Sequence, residues 1–320
     1  MNRLSKFTAL LLAILLVLSL AACSAGESSA AYKVGICQLV QHDAHNSATQ
    51  GFMDALNEVL PGQVSFNVQN ASNEIPVCTS IVNQFIAEDT DLIMANATPA
   101  LQAAASATAE IPILGTSVTD YAAVMGIADF SGTVGGNVSG TSDLVSVEKQ
   151  AEMVQAWFPD AKNIGMLFCS AEANSRYQVD VMTEALEQIG YSCTEFSFTD
   201  ANDLPSVLTG AAETCDLLYV PTDNAVAANA AIIDNYCRPE KLPIIGGDLG
   251  ICKACTVATL GLDYYDLGYK TGLMAGDILT GSADISQMPV EYADCSYVYN
   301  ADICAELGII PVEGYSAIEN

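Results

Sequence analysis

Positively charged residues are scarce in this chain. The 320 residues include 10 Lys and Arg against 38 Asp and Glu, and the formal net charge is −28. A nucleic-acid surface needs clustered Lys and Arg to neutralise phosphates. The composition therefore excludes nucleic acid as a partner, and an acidic balance of this size is typical of a well-solvated surface.

The sequence also lacks the motifs of common enzyme classes. No Gly-x-Gly-x-x-Gly follows the first predicted strand, which argues against a bound dinucleotide. No Gly-x-Ser-x-Gly turn is present, and His42 and His45 are the only histidines. We therefore expect no catalytic residues, no cofactor and a protein that is not an enzyme.

Two short motifs contain residue types that bind metals, but neither is complete. His42 and His45 form a His-x-x-His pair, which would need a further histidine or a set of carboxylates to hold a metal. Cys252 and Cys255 form a Cys-x-x-Cys pair with no second pair beside it. We predict no metal site. For His42, a ligand contact and a surface or capping role stay open, and for the cysteines, a structural role or a local disulfide.

Long apolar runs are missing after the N-terminus, where one short run at residues 9–18 follows Arg3 and Lys6. A charged start, a short apolar run and small residues are typical of an export signal. The stretch Leu20-Ala-Ala-Cys23 resembles a bacterial lipobox, which implies cleavage before Cys23 and lipidation of its thiol. We expect a signal peptide at 1–22, and Cys23 with a flexible tether at 23–31. The protein would then be exported and lipid-anchored on the outer face of the cytoplasmic membrane.

Two similar stretches organise the rest of the chain. Residues 91–100 and 216–225 each begin with an acid, continue with an apolar run and end in small polar residues and alanine. Such apolar runs indicate buried parallel strands, and their alternation with helical segments indicates βαβ units. Strands are predicted at 33–40, 64–68, 91–95 and 111–117, and again at 163–168, 191–198, 217–220 and 242–246. The predicted fold class is α/β, with two Rossmann-like lobes of parallel sheet.

With the repeated motifs aligned, the chain resembles bacterial ABC-transporter solute-binding lipoproteins, and more narrowly the family of tryptophan/tyrosine binding proteins. The resemblance rests on Val34-Gly-Ile-Cys-Gln-Leu-Val40, Ala95-Asn-Ala-Thr-Pro-Ala100, Gly115-Thr-Ser-Val-Thr-Asp120, Gly140-Thr-Ser-Asp143, Tyr219-Val-Pro-Thr-Asp-Asn224 and Thr259-Leu-Gly-Leu-Asp-Tyr-Tyr-Asp-Leu-Gly268. It implies the type I periplasmic binding protein fold, in which two lobes joined by a three-segment hinge close around a solute.

The resemblance also implies a domain division. Lobe 1 would comprise residues 32–142 and 263–287, and lobe 2 would comprise residues 143–262 and 288–320. The Gly-rich residues 133–140 lack helical periodicity and fit a segment that crosses between the lobes.

The implied function is that of the extracytoplasmic solute-binding component of an ABC importer. We expect a monomer that captures a small zwitterionic solute, in the first place an aromatic amino acid, by hinge closure. Its partners would be that ligand, an ABC permease with its ATPase, and the membrane through the lipid anchor. The alternative is a sensory or scaffold lipoprotein that uses the same lobes without transport.

Ligand groups are expected where strands end, because open α/β sheets bind ligands at the carboxyl ends of their strands. Helices that start there offer free N–H groups, which suit a carboxylate. The candidates are Gln38, Gln41, His42, Asn96, Thr98, Thr116, Ser117 and Asp120 in lobe 1, and Ser170, Asn174, Ser175, Thr222, Asp223, Asn224 and Asp248 in lobe 2. Helix capping is the competing interpretation of the Ser, Thr, Asn and Asp residues among them. Tyr121 and Tyr177 could stack on an aromatic ligand or simply pack.

The ammonium group of an amino acid needs an acid as its partner. Asp120, Asp223 and Asp248 are the candidates. We favour Asp223, since it follows the buried strand at 217–220 and a proline that should turn its side chain into the crevice.

Overall fold

The computed structural model describes residues 30–318 of the chain. The predicted signal peptide and Cys23 lie outside the described residues. Within the described part, no helix is long and apolar enough to cross a membrane. From Tyr32 onward the chain forms one compact unit, which contains two β-sheets.

The first sheet and its helices form lobe 1. In chain order its elements are β1 (Tyr32–Gln38), α1 (Asp43–Val59), β2 (Val64–Asn70), α2 (Ile75–Ala87), β3 (Leu92–Asn96), α3 (Thr98–Ala107), β4 (Ile113–Val118), α4 (Tyr121–Met125) and β5 (Val138–Ser142). Two later elements, α11 (Tyr264–Leu279) and β11 (Glu291–Tyr292), return to this lobe. The strand order is β11-β5-β4-β3-β1-β2, and every pair is parallel.

The second sheet and its helices form lobe 2. Its elements are α5 (Val147–Trp157), β6 (Asn163–Cys169), α6 (Ala173–Gln188), β7 (Ser192–Phe198), α7 (Leu204–Thr214), β8 (Leu217–Val220), α8 (Asn224–Ala228), α9 (Ala230–Cys237), β9 (Ile244–Gly246), α10 (Leu249–Ala254), β10 (Ala258–Leu262), β12 (Cys295–Tyr299), α12 (Ala301–Leu307) and β13 (Ser316–Ala317). The strand order is β13-β12-β10-β9-β8-β6-β7. Only β12 runs antiparallel to its neighbour β10 among the pairs described.

The two similar stretches of sequence form equivalent strands, which confirms the predicted fold class. All residues of β3 and β8 are buried. The acid before each strand also has the same role in both lobes. Asp91 accepts a hydrogen bond from the Lys33 backbone N–H at 2.7 Å, and Asp216 accepts those of Lys162 and Asn163 at 2.7 and 2.9 Å. Each acid therefore fixes the start of the neighbouring strand.

The chain passes between the two sheets three times. The passages follow β5 at Asp143, follow β10 at Asp263, and lie between β11 and β12. The Gly-rich residues 133–140 do not cross, because Val138 begins β5 and pairs with Ile113 of β4. The third passage also differs from the predicted boundary at 287/288. Strand β11 pairs with β5 and so belongs to the sheet of lobe 1. The third passage therefore lies at residues 293–294, between β11 and β12.

Helices α1 and α11 approach so closely that only glycine fits at two of their contact positions. A Cβ on Gly268 of α11 would overlap the carbonyl oxygen of Ala48 on α1, and one on Gly51 of α1 would overlap the carbonyl oxygen of Tyr265. The glycines therefore let the two backbones touch, and α11 is held firmly on lobe 1.

The cysteines of the described part are free thiols. Cys252 lies within α10 and Cys255 directly follows that helix. Both are buried, and burial raises the pKa of both thiols, that of Cys252 to about 12. The sequence left open a structural role or a local disulfide for this pair. As buried free thiols, Cys252 and Cys255 have the structural role.

Candidate functional site

The carboxyl ends of strands from both lobes meet in one interior region rich in polar side chains. In lobe 1, Asn96 is the last residue of β3 and Thr116 lies near the end of β4. In lobe 2, Asp223 follows β8 and Asp248 follows β9. All four are at most 5% exposed. Burying a polar group is costly unless it is hydrogen-bonded. The hydrogen bonds of each side chain therefore show which groups already have partners within the protein and which are free to bind a ligand.

Gln38 and Asn96 belong to a network within lobe 1. The Gln38 amide donates to the Val40 carbonyl and to Asn46 Oδ1, both at 2.9 Å, and its oxygen accepts from Thr49 Oγ1 at 2.7 Å. The Asn96 amide donates to the His45 carbonyl at 2.9 Å and to Thr49 Oγ1 at 3.0 Å. Gln38 is therefore fully used inside the lobe, whereas Asn96 Oδ1 is buried without a partner.

Two residues with strained backbone, Ala97 and Ser117, coincide with a pair of free hydroxyl groups beside this network. Ala97 has φ 106° and Ser117 has φ 54°, and a side chain in that part of backbone space costs roughly 1–3 kcal/mol. The hydroxyl oxygens of Thr98 and Ser117 are buried and have no partner. Thr98 is the first residue of α3, whose leading N–H groups have no acceptor within the helix. Strain and unpartnered donors thus coincide at the end of β3 and β4.

The other lobe 1 candidates have structural partners. Thr116 bonds Thr141 at 3.2 Å, and Thr141 bonds Thr271 of α11 at 2.8 Å. Asp120 caps α4 by accepting the Ala123 N–H at 3.0 Å. Asp120 and Thr98 nevertheless line a cavity of about 50 Å³ together with Asn174 and Tyr177 of lobe 2. The predicted residues of the two lobes therefore do meet at this point.

Both carboxylate oxygens of Asp223 already accept hydrogen bonds within lobe 2, which the sequence does not indicate. Its Oδ2 accepts the Cys169 N–H at 2.7 Å and its Oδ1 accepts the Val226 N–H at 2.8 Å. Burial raises its pKa, and these N–H groups together with Ser175 oppose that rise. Its carboxylate therefore joins β6 to the start of α8, the capping role that competes with a ligand contact.

Glu172 is a buried acid that the sequence analysis missed. It accepts the backbone N–H of Ala225 at 2.9 Å and that of Asn224 at 3.2 Å, as well as the side-chain amides of Asn174 and Asn224. Burial, followed by the charge of Asp223, raises its pKa to about 8. Its position two residues after Ser170, in the polar turn that ends β6, was the available signal.

Asp248 lies opposite His42 across the two lobes. It caps α10 by accepting the Ile251 N–H at 2.9 Å. Burial lowers the pKa of His42, and the charge of Asp248 and the side chain of Asn224 oppose this. The His42 ring packs on the His45 ring at 4.0 Å, and the Nε2 atom of His42 is buried without a partner. His42, Asn224 and Asp248 thus form a polar group that spans both lobes.

Several candidates do not join this region, or join it only through backbone atoms. Gln41 is exposed. Ser170 is exposed and bonds the Phe198 carbonyl and Thr199 at 3.3 and 3.2 Å. Thr222 contributes its backbone, which bonds Asn174 and Gln178. Tyr121 is buried and donates its hydroxyl to the Thr141 carbonyl at 3.1 Å, so it packs within lobe 1.

Residues 30–318 contain no group of three or more His, Cys, Asp or Glu side chains arranged to hold a metal ion. His45 is buried and its Nδ1 lies 3.2 Å from the Val40 carbonyl. Burial and the neighbouring His42 place the pKa of His45 well below its ordinary value. The histidine pair is therefore held by packing and by lobe 1 backbone.

The fold and the polar region between the lobes are those of a solute-binding protein. A family model described as ABC transporter substrate binding protein matches residues 33–317, and the chain belongs to this family. Its fold is the type I periplasmic binding protein fold. The chain is 35% identical over 271 residues to the Tyrosine-binding protein of Clostridioides difficile, covering 84% of this chain and 78% of that protein.

Two solved structures of relatives differ in how well they superpose. The ABC domain from Streptococcus pneumonia in complex with L-Trp is 29% identical, with a TM-score of 0.84 over 90% of this chain and 99% of that one. The ligand-free, open structure of a substrate binding protein with adhesive properties from Clostridium difficile is 37% identical over the same shares, with a TM-score of 0.68. The more similar sequence superposes less well. The chain as a whole thus superposes better on the L-Trp complex than on the open structure.

Proposed function

We propose that the protein captures an aromatic amino acid between its two lobes by hinge closure and delivers it to an ABC importer. The observation that carries this proposal is a set of buried polar atoms without partners. They are His42 Nε2, Asn96 Oδ1, Thr98 Oγ1, Ser117 Oγ and Asn174 Oδ1. Buried polar groups are normally hydrogen-bonded, so these atoms are ready for a polar ligand. The tyrosine and tryptophan named for the relatives supply its class.

The ligand carboxylate would be bound by lobe 1. Thr98 and Ser117 offer free hydroxyl groups, and α3 begins at Thr98 with the positive end of its dipole. Backbone strain at Ala97 and Ser117 supports this assignment, because strained residues cluster at ligand sites. A carboxylate here needs no arginine or lysine, in agreement with the scarcity of cations in the chain.

The ligand ammonium would be bound by an acid of lobe 2. The sequence alone favours Asp223, but both of its oxygens already accept backbone N–H groups. Asp248 accepts the N–H of Ile251 through Oδ1 and lies near the unpartnered His42 ring. We therefore assign the ammonium to Asp248, and we assign to Asp223 the task of holding the start of α8.

Titration calorimetry with tryptophan, tyrosine, phenylalanine and leucine tests this assignment. Removing one partner of a buried charged pair leaves the other unpaired, so Asp248→Ala should weaken binding by roughly 2–5 kcal/mol. Asp248→Asn should be milder, since a hydrogen bond survives. The matched control is Glu58→Ala, because Glu58 bonds Tyr269 on the outer face of lobe 1; it should bind like the wild type.

The same experiment separates the two acids. Asp223→Ala should lower the melting temperature, since the N–H groups of Cys169 and Val226 lose their acceptor. If folded Asp223→Ala loses binding while Asp248→Ala binds normally, the ammonium is bound by Asp223 and not by Asp248. The proposal of an amino-acid ligand would still hold. If the wild type binds none of the four amino acids, the ligand class is wrong.

Delivery to a permease is tested in cells. A strain lacking the protein should take up the labelled ligand more slowly, and expression of wild type, but not of Asp248→Ala, should restore uptake. Unchanged uptake in the deletion strain would instead favour the sensory or scaffold alternative, for which the adhesive properties named for the C. difficile relative offer a precedent.

The proposed membrane anchor depends on Cys23. Without its thiol the lipid cannot be attached, so Cys23→Ala should appear in the medium or remain as the unprocessed precursor. Cell fractionation and mass determination of the mature N-terminus measure this. A Cys23→Ala protein that is processed normally and stays fully membrane-bound would exclude the lipobox.

A further inference from the structure

Two of the three passages between the lobes meet at one buried carboxylate. Asp143 directly follows β5 and begins the first passage, and it is 4% exposed. Its Oδ2 accepts the Tyr264 hydroxyl at 3.0 Å, and its Oδ1 accepts the Thr119 hydroxyl at 3.2 Å. Tyr264 is 5% exposed and directly follows the second passage, at Asp263. A single side chain thus connects chain segments 121 positions apart.

The charge of Asp143 is not offset by an ion pair within residues 30–318. None of the ion pairs found there includes it. Burial raises its pKa to about 6, the Tyr264 and Thr119 hydroxyls oppose this, and Asp248 adds to it. Tyr121 also faces Asp143. An acid in such surroundings depends on its two hydroxyl donors.

Tyr264 is a fixed donor because α11 is fixed on lobe 1. Gly268, one turn further on, lies against the backbone of α1 at Ala48. Thr271 bonds Thr141 at 2.8 Å and thereby joins α11 to β5. The Tyr264 hydroxyl therefore holds Asp143 where the chain leaves β5 toward lobe 2. The Tyr264 ring belongs to the same apolar cluster as Val145 and Leu262, so the residue also packs on the lobe 2 side of the passage.

We propose that Asp143 and Tyr264 are a positioning pair that sets the closed arrangement of the lobes. The pair acts through the hinge and makes no contact with the ligand, and the proposal rests on the function proposed above. When the bond is lost, the binding-competent arrangement is less populated. The apparent affinity then falls by the same factor for every ligand that requires closure.

Tyr264→Phe tests this, since it removes one hydroxyl and keeps the ring. By calorimetry the dissociation constant should rise by roughly 10- to 150-fold, which corresponds to the loss of a hydrogen bond to a charged group. The rise should be the same for tryptophan, tyrosine, phenylalanine and leucine. The matched control is the adjacent Tyr265→Phe, whose hydroxyl bonds Asp54 within lobe 1 at 3.0 Å; its dissociation constants should not change.

The outcomes separate positioning from other roles. A lower melting temperature with unchanged dissociation constants would show a merely structural bond and overturn the proposal. A changed order of ligand preference would make Tyr264 a ligand contact and overturn it as well.

A second measurement needs no ligand. If the wild type binds none of the amino acids, the proposed function fails, and small-angle scattering of the ligand-free proteins decides on the hinge alone. Ligand-free wild type exchanges between separated and closed lobes, and loss of the bond lowers the closed share. The Tyr264→Phe protein should then have a larger mean radius of gyration than the wild type. Identical scattering curves would overturn the positioning pair.

Discussion

Glu172 lies in surroundings that disfavour its negative charge. It is buried, it lies near Asp223, and its hydrogen-bond partners are the N–H groups of Asn224 and Ala225 and two amide side chains. Burial of two acids together is costly, and the pKa of Glu172 is accordingly raised from 4.5 to about 8. The folded protein therefore holds a proton there at neutral pH that the unfolded chain releases.

This proton predicts a pH dependence of stability. The stabilisation is complete below pH 4.5 and is lost as the pH rises through about 8. The free energy of unfolding should therefore decrease over this window, with a slope from this group of at most about 1.4 kcal/mol per pH unit. Glu172→Gln cannot titrate, so urea unfolding of this variant at several pH values should show a flatter profile.

The control for this experiment is Glu152→Gln, an exposed acid on α5. Its profile should follow that of the wild type. Equal slopes for wild type and Glu172→Gln would mean that Glu172 is ionised in the folded protein.

At the residue scale, the sequence identifies positions but does not distinguish capping from ligand binding. Asp120, Asp223 and Asp248 all accept N–H groups at the start of α4, α8 and α10. An aspartate between a strand and a helix can cap the helix or bind a ligand, and its position in the sequence is the same in both cases. What separates the purposes is whether a buried polar atom is left without a partner, as at Thr98 and Ser117, and that depends on contacts distant in sequence.

At the scale of elements, the closest contact is the one between α1 and α11. A Cβ on Gly268 would overlap the backbone of Ala48. Gly268→Ala should therefore destabilise the protein by about 1–3 kcal/mol or more, because overpacking forces the helices apart. Thermal or denaturant unfolding measures this.

Gly210 on α7 is the matched control for that substitution. It is also helical, and a Cβ there would meet only a Phe196 ring atom at 3.8 Å. Gly210→Ala should leave stability unchanged or raise it by up to about 1 kcal/mol, since alanine is the better helix former. If both variants behave alike, the helices do not depend on this contact.

Among the elements, those with strong apolar runs are predicted well. The buried strands β3 and β8 fall where their apolar residues lie. Strand β5 is missed because it reads Val-Ser-Gly-Thr-Ser, a polar sequence without strand-like alternation. It is nevertheless buried, because Ser139 bonds the Met288 carbonyl and Thr141 bonds Thr271, both distant in sequence. Long-range polar partners of this kind leave no local pattern.

At the scale of the whole molecule, the sequence repeat predicts two lobes but not the angle between them. That angle depends on a few residues at the passages, such as Asp143 and Tyr264, and on what lies between the lobes. The chain superposes better on the L-Trp complex than on the open, more similar relative, which is the result expected of a closed arrangement. The central claim is that this arrangement is the ligand-holding one and that the lobes separate without ligand.

Small-angle X-ray scattering tests that claim most directly. The protein would be measured without ligand and then saturated with the amino acid that binds most tightly in calorimetry. We predict a larger radius of gyration without ligand, and a saturated protein whose scattering curve matches the arrangement described here. Identical dimensions in both samples, with saturation proven by calorimetry on the same material, would contradict capture by hinge closure.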